Sequence, residues 1–171
     1  MKKVFTIILF SLALKAAATG GDDYAVGKIP LALLKNANAV IRLDERVVEL
    51  KDFDKLVERR HYVITILNDA GARLAECSEY YDKFQDITEI DGKLFDESGK
   101  KIKELKNKDI QDLSGTSGIS LAEDNRFKAH NFYHRAYPYT VEYTIETVSK
   151  LTMFFPRWIP VMSENVSVEK S

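Results

Sequence analysis

Cys77 is the only thiol among the 171 residues and the side chain with the most nucleophilic chemistry to offer. A reactive thiolate needs a nearby cation or a helix N-terminus. In Glu76-Cys77-Ser78-Glu79 its neighbours are carboxylates, which raise a thiol's pKa. Only a partner in space, from His61, His130 or His134, could activate it, so Cys77 reads as a small residue on a strand face. His130 and His134 have the i, i+4 spacing that would put two ligands on one face of a helix. Their segment reads as a strand, on which four residues span about 13 Å, too far for one ion. The His-Glu-x-x-His pattern of zinc proteases is absent. Asp109 and Asp112 lack the glycine and final glutamate of a calcium loop, and flanked by Lys106 and Lys108 they read as a charged turn. Gly-rich phosphate loops, the Gly-x-Ser-x-Gly elbow and Ser-x-x-Lys are absent too. A carboxylate pair for glycoside hydrolysis carries no signal in a chain with 26 acidic residues, where accidental pairs abound. The sequence therefore predicts no catalytic residue, no cofactor and no metal site.

Aromatic residues crowd the last third of the chain: Tyr133, Tyr137, Tyr139, Phe154, Phe155 and Trp158. Most should be core, because each ring buries a large apolar area. Trp158 lies in Phe155-Pro156-Arg157-Trp158-Ile159-Pro160, where two prolines make a stiff, irregular segment instead of a ladder strand. It is expected to pack on the sandwich, with a partly exposed ring at an interface or ligand groove as the alternative. Trp158 and Tyr137 are the weak binding candidates.

These side chains must be positioned mostly by strands. The clearest is Tyr139 to Glu146, where Tyr139, Val141, Tyr143 and Ile145 alternate with Thr140, Glu142, Thr144 and Glu146, so that one face is apolar and the other polar. Weaker patterns recur at Val40–Leu50, Lys55–Leu67, Leu74–Tyr81, Ile87–Phe95, Lys101–Leu105, Arg126–Tyr133 and Val161–Glu169. Turn residues at Asn68–Gly71, Asp91–Gly92, Asp96–Gly99 and Ser114–Gly118 separate them. Asn68–Gly71 and Asp96–Gly99 are each expected to join a hairpin. The one plausible helix is short, between Ile29 and Ala39, with Pro30 near its start. Short strands without ten-residue helices between them predict an all-β antiparallel sandwich with one short N-terminal helix.

Upstream, Met1–Lys3 are positively charged at the start, Val4–Leu14 are apolar, and Ala16-Ala17-Ala18 form a small-residue cleavage site. That is the layout of a secretory signal peptide, and the apolar run is too short to span a membrane. The expected organisation is a signal over 1–18, a linker over 19–28 and a sandwich over 29–171, placing the mature protein in the periplasm or outside the cell. About 150 mature residues suffice for one domain. Removing Lys2, Lys3 and Lys15 leaves 22 basic against 26 acidic residues, a net −4 with no electrostatic footprint for nucleic acid.

Several blocks, taken in order, carry a resemblance. They are His61–Asn68 followed by Gly71, Tyr80–Phe84, Phe95–Ile102, Asp109–Asp112 and Tyr137–Tyr143. From about Tyr24 to Ser171 the chain resembles the N-terminal domain of unknown function that precedes transglutaminase-like domains in exported bacterial proteins. The resemblance implies a β-sandwich accessory domain without activity of its own. The Cys-His-Asp triad of that family belongs to the following domain, which would begin beyond Ser171, so no catalytic residue carries over. A fragment, truncated product or stand-alone version of the domain is expected, with a protein partner or a C-terminal domain as its contact. Two other readings stand beside it. One is a carbohydrate-binding module stacking sugars on Trp158 and Tyr137. The other is a hydrolase with a spatial Cys/His or carboxylate site.

Overall fold

A computed structural model describes residues 21–115, 125–161 and 163–171. The expected signal peptide and its cleavage site, and the turn residues from 116 to 118, lie outside the described residues. Among the described residues there are nine strands: β1 (Ala39–Asp52), β2 (Lys55–Ile66), β3 (Cys77–Tyr81), β4 (Gln85–Phe95), β5 (Lys101–Glu104), β6 (Gln111–Ser114), β7 (Arg126–His130), β8 (Tyr139–Ser149) and β9 (Val166–Val168). The helix α1 is one turn, Leu31–Leu34, and Pro30 caps its start as its fixed φ favours. No helix among the described residues is long and apolar enough to cross a membrane. The strands form a six-stranded sheet, β5-β4-β8-β2-β1-β9, and a three-stranded sheet, β3-β7-β6. The mostly-β sandwich expected from the alternation is therefore present.

The core lies between the sheets. On the large sheet it is built from Ile41, Ile64, Ile66, Leu94, Tyr139, Val141 and Tyr143, and Cys77, Ala75 and Phe132 meet it from the other side. Tyr139, Val141, Tyr143 and Ile145 all point inward, as their period of two requires. The opposite face of β8 differs from expectation: Thr140 and Glu142 are also buried. Tyr24 folds over this face and packs with Val63, Phe95 and Leu43. The stretch read as a linker is thus partly structural. Residues Gly21–Tyr24 and Val26–Lys28 form 3-10 turns, and the buried Arg42 holds them through the carbonyl of Asp23 at 3.1 Å. Arg42 sits at an irregularity in the β1–β2 register between Ile41 and Leu43, and it also pairs with Glu169.

Four local expectations change, one of them at Asp91–Gly92, which makes no turn and lies within β4, paired with Thr144 and Tyr143 of β8. The Asp96–Gly99 turn does join a hairpin, β4 to β5, but Asn68–Gly71 does not. It leads into a 3-10 segment, Asp69–Ala75, that carries the chain from the large sheet to the small one. Gly71 is needed there, since a Cβ would lie 2.3 Å from the Asn38 carbonyl oxygen. Asp112 lies in strand β6, not in a charged turn, because the Gln111–Ser114 backbone pairs with Arg126–Ala129 of β7. Finally, the sheet is not wholly antiparallel. The connection from Lys150 to Asn165 returns the chain from the Leu56 end of the sheet to the Asn38 end, so β9 runs parallel to β1.

Candidate functional site

Cys77 begins β3 and is 1% exposed. Burial pushes its thiol up to about 12, and the nearby Glu79 and Glu76 carboxylates add to the effect. Tyr62 and the Arg60 charge oppose the rise without offsetting it. His130 stands opposite Cys77 in the β3–β7 register, yet its Nδ1 is 2.8 Å from the Tyr143 hydroxyl oxygen. Burial, followed by the charge of Lys103, lowers the His130 pKa and keeps the ring neutral at pH 7. His61 Nε2 contacts Glu142 at 2.8 Å, and the His134 ring lies edge-on to Tyr139 at 5.1 Å. The three histidines are dispersed, and none of these contacts builds a Cys-His pair. The cysteine is a packed core group.

Other charged residues are brought together by the fold. Glu142 receives hydrogen bonds from the Tyr24 hydroxyl at 3.0 Å and Lys93 Nζ at 3.1 Å, in addition to its contact with His61. Burial opposes its ionisation, but hydrogen bonds with His61, Lys93 and Tyr24 outweigh it and hold the carboxyl at about 2. On the other face, Arg60 donates two hydrogen bonds to Asp44, at 2.9 and 3.0 Å, and its guanidinium lies 4.6 Å from the Tyr62 ring centre. This pair borders a small cavity of about 220 Å³ that Leu74 and Glu79 also line. Burial raises the Glu79 pKa, with Arg60 opposing. Asp112 accepts from the Tyr81 hydroxyl at 2.7 and 2.8 Å and pairs with Arg126. Each of these ion pairs was invisible in the sequence because the partners lie far apart in the chain. Satisfied carboxylates of this kind hold strands in place and offer no free acid or base.

The two aromatic candidates are not brought together. The half-buried Tyr137 donates to Asp69 at 3.2 Å and lies against Tyr139, with ring centres 5.4 Å apart. Trp158 is 61% exposed, and its Nε1 donates to Ser171 Oγ at 3.0 Å. The ring is thus not packed into the sandwich, contrary to the first expectation. A segment between prolines has no ladder to join, and it lies along the β1 edge. There Trp158, Phe155 and Pro156 line a cavity of about 530 Å³ together with Leu43–Arg46 and Val48 of β1. Phe154, Phe155, Ile159 and Val161 are exposed in the same segment. Sequence reasoning singled out Trp158 and named Phe155 among aromatics expected mostly in the core, but Phe155 is exposed beside it.

No curated protein matches the chain. Among solved structures, a protein from Parabacteroides distasonis ATCC 8503 described as a candidate protease is similar, with a TM-score of 0.57 and 12% identity. The match covers 66% of this chain and 23% of that one, so this chain spans about a quarter of the neighbour's length. At that identity the likeness concerns the fold alone. Residues 54–171 match the domain of unknown function DUF3857, for which a structure has been solved. With well over half of its length matched, this chain belongs to the DUF3857 family.

Proposed function

We propose that this chain is an exported, non-catalytic accessory domain that works beside a catalytic domain of the transglutaminase-like, cysteine-protease type. The observation that carries the reading is the state of Cys77: buried, with its thiol pushed up to about 12, while the His130 and His61 rings are engaged by Tyr143 and Glu142. A thiol in that state supplies almost no nucleophile at neutral pH. The protease-named neighbour supports the same reading, because the shared fold takes up only 23% of it and leaves most of that protein for other parts.

Two measurements test the proposal. Purified protein assayed for peptide hydrolysis and for amine transfer to glutamine should show no turnover, and Cys77→Ala should leave that baseline unchanged. Turnover abolished by Cys77→Ala would overturn it. Mixing with a transglutaminase-like catalytic domain encoded by the same genome should raise that domain's melting temperature. Export is tested by N-terminal sequencing of the protein from the periplasm or culture medium, which should begin at Thr19.

A further inference from the structure

We propose that the cavity between β1, β2 and β3 binds a free α-amino acid with an apolar side chain, its ammonium group at Glu79 and its carboxylate at Arg73. This goes beyond the accessory role and does not depend on it.

Strand period puts a charge where the sheets face each other. Cys77 points into the core from β3, so Glu79, two residues on, faces the same way. Its carboxylate is half-buried, and burial raises its pKa. Among the described residues none offers it a hydrogen bond or an ion pair. Lys128, opposite Glu79 in the β3–β7 register, reaches the Ile87 carbonyl at 3.3 Å instead. Arg60 is near, but its Nε and Nη2 are both taken by Asp44, at 2.9 and 3.0 Å. The 3-10 segment Asp69–Ala75 brings a second charge to the same space, the exposed Arg73. Its guanidinium also has no partner among the described residues.

Glu79 and Arg73 thus line one cavity of about 220 Å³ and do not pair with each other. Opposite charges held apart across a shared space suit a ligand that carries both signs. Each would gain a charge-assisted hydrogen bond, and the half-buried carboxylate would recover the partner that burial took from it. Glu76 also lines the cavity, but it is exposed and keeps its hydration, so an ammonium group gains more at Glu79. Between the charges the walls are apolar: Ile41, Ile64 and Leu74, with the Tyr62 ring. That ring is fixed by stacking on Tyr143, with centres 5.4 Å apart, and by the Arg60 guanidinium. An apolar side chain of the ligand would be buried there. The volume is several times the ~30 Å³ of one water and below the ~300–1,000 Å³ of sites for larger ligands. A single amino acid fits that range, whereas a strand does not. Arg73, Leu74, Glu76 and Ser78 also line a neighbouring cavity of about 450 Å³, which gives the ligand a way in.

The probe is L-leucine, titrated into the purified protein in a calorimeter. It should bind saturably, and in a nitrogen-15 NMR spectrum it should shift the amides of Arg73, Leu74 and Glu79. Two blocked forms separate the charges: N-acetyl-leucine lacks the ammonium group and leucinamide lacks the carboxylate. Each should bind the unaltered protein at least about tenfold more weakly, a comparison that requires no variant to fold. The variants then assign the contacts. Glu79→Gln should bind leucine and N-acetyl-leucine alike, and Arg73→Gln should bind leucine and leucinamide alike, while both keep a cooperative melt. Absence of saturable leucine binding up to about 1 mM leaves the cavity to water and overturns the proposal. Equal binding of the three compounds overturns it as well, as do amide shifts confined to residues outside the cavity.

Discussion

Ionising the Cys77 thiol would place a charge between two sheets and beside two carboxylates, and burial with those carboxylates outweighs the opposing pull of Tyr62 and Arg60. Native protein at pH 8 should resist alkylation by iodoacetamide, read by intact mass, and react fully once denatured. Rapid native alkylation would contradict the buried placement. Glu142 is the opposite case: three donors hold the charged form at about 2, well under its ordinary 4.5. A folded-state pKa below the unfolded one stabilises the fold above about pH 4.5, and that contribution drains away as pH falls toward 2. Urea midpoints measured from pH 7 down to pH 2 should therefore fall over this window. Glu142→Gln should cost about 1–3 kcal/mol at pH 7 and flatten the decline.

Strands expose which local rules hold. β8 was readable because Tyr139, Val141, Tyr143 and Ile145 keep strict alternation, and the strand lies at the middle of the large sheet between β4 and β2. β6 was not, since Gln111–Ser114 is exposed throughout and carries little apolar pattern. Gly92 shows how neighbouring strands constrain each other. It faces Tyr143 across the β4–β8 register, and a Cβ there would lie 2.8 Å from the tyrosine ring. Gly92→Ala should destabilise the protein by about 1–3 kcal/mol in urea denaturation, through displacement of a ring at the core's centre. Gly27→Ala meets nothing within 4 Å and serves as the matched control. Equal stability of the two variants would mean that Tyr143 has room to move.

Over the whole molecule, the aromatic residues divide between a core that is closed and a surface strip that is open. Tyr139 and Tyr143 are sealed between the sheets, whereas Phe154, Phe155 and Trp158 remain in water. Trp158 should accordingly emit in the red and be quenched by acrylamide in the native state. Its spectrum should change little on unfolding, while the far-ultraviolet dichroism of the strands is lost. A blue-shifted, protected emission would place the ring inside the sandwich. Period-two alternation, turn residues and the carboxylates around Cys77 are properties of neighbours in the chain, so strand content, inward faces and a disfavoured thiolate could be read from the sequence by itself. Tertiary structure alone decided that β9 runs parallel to β1, that Tyr24 covers the far face of β8 from 118 residues away, and that Glu142 has three partners. Each depends on which distant segments meet, and no local period encodes that.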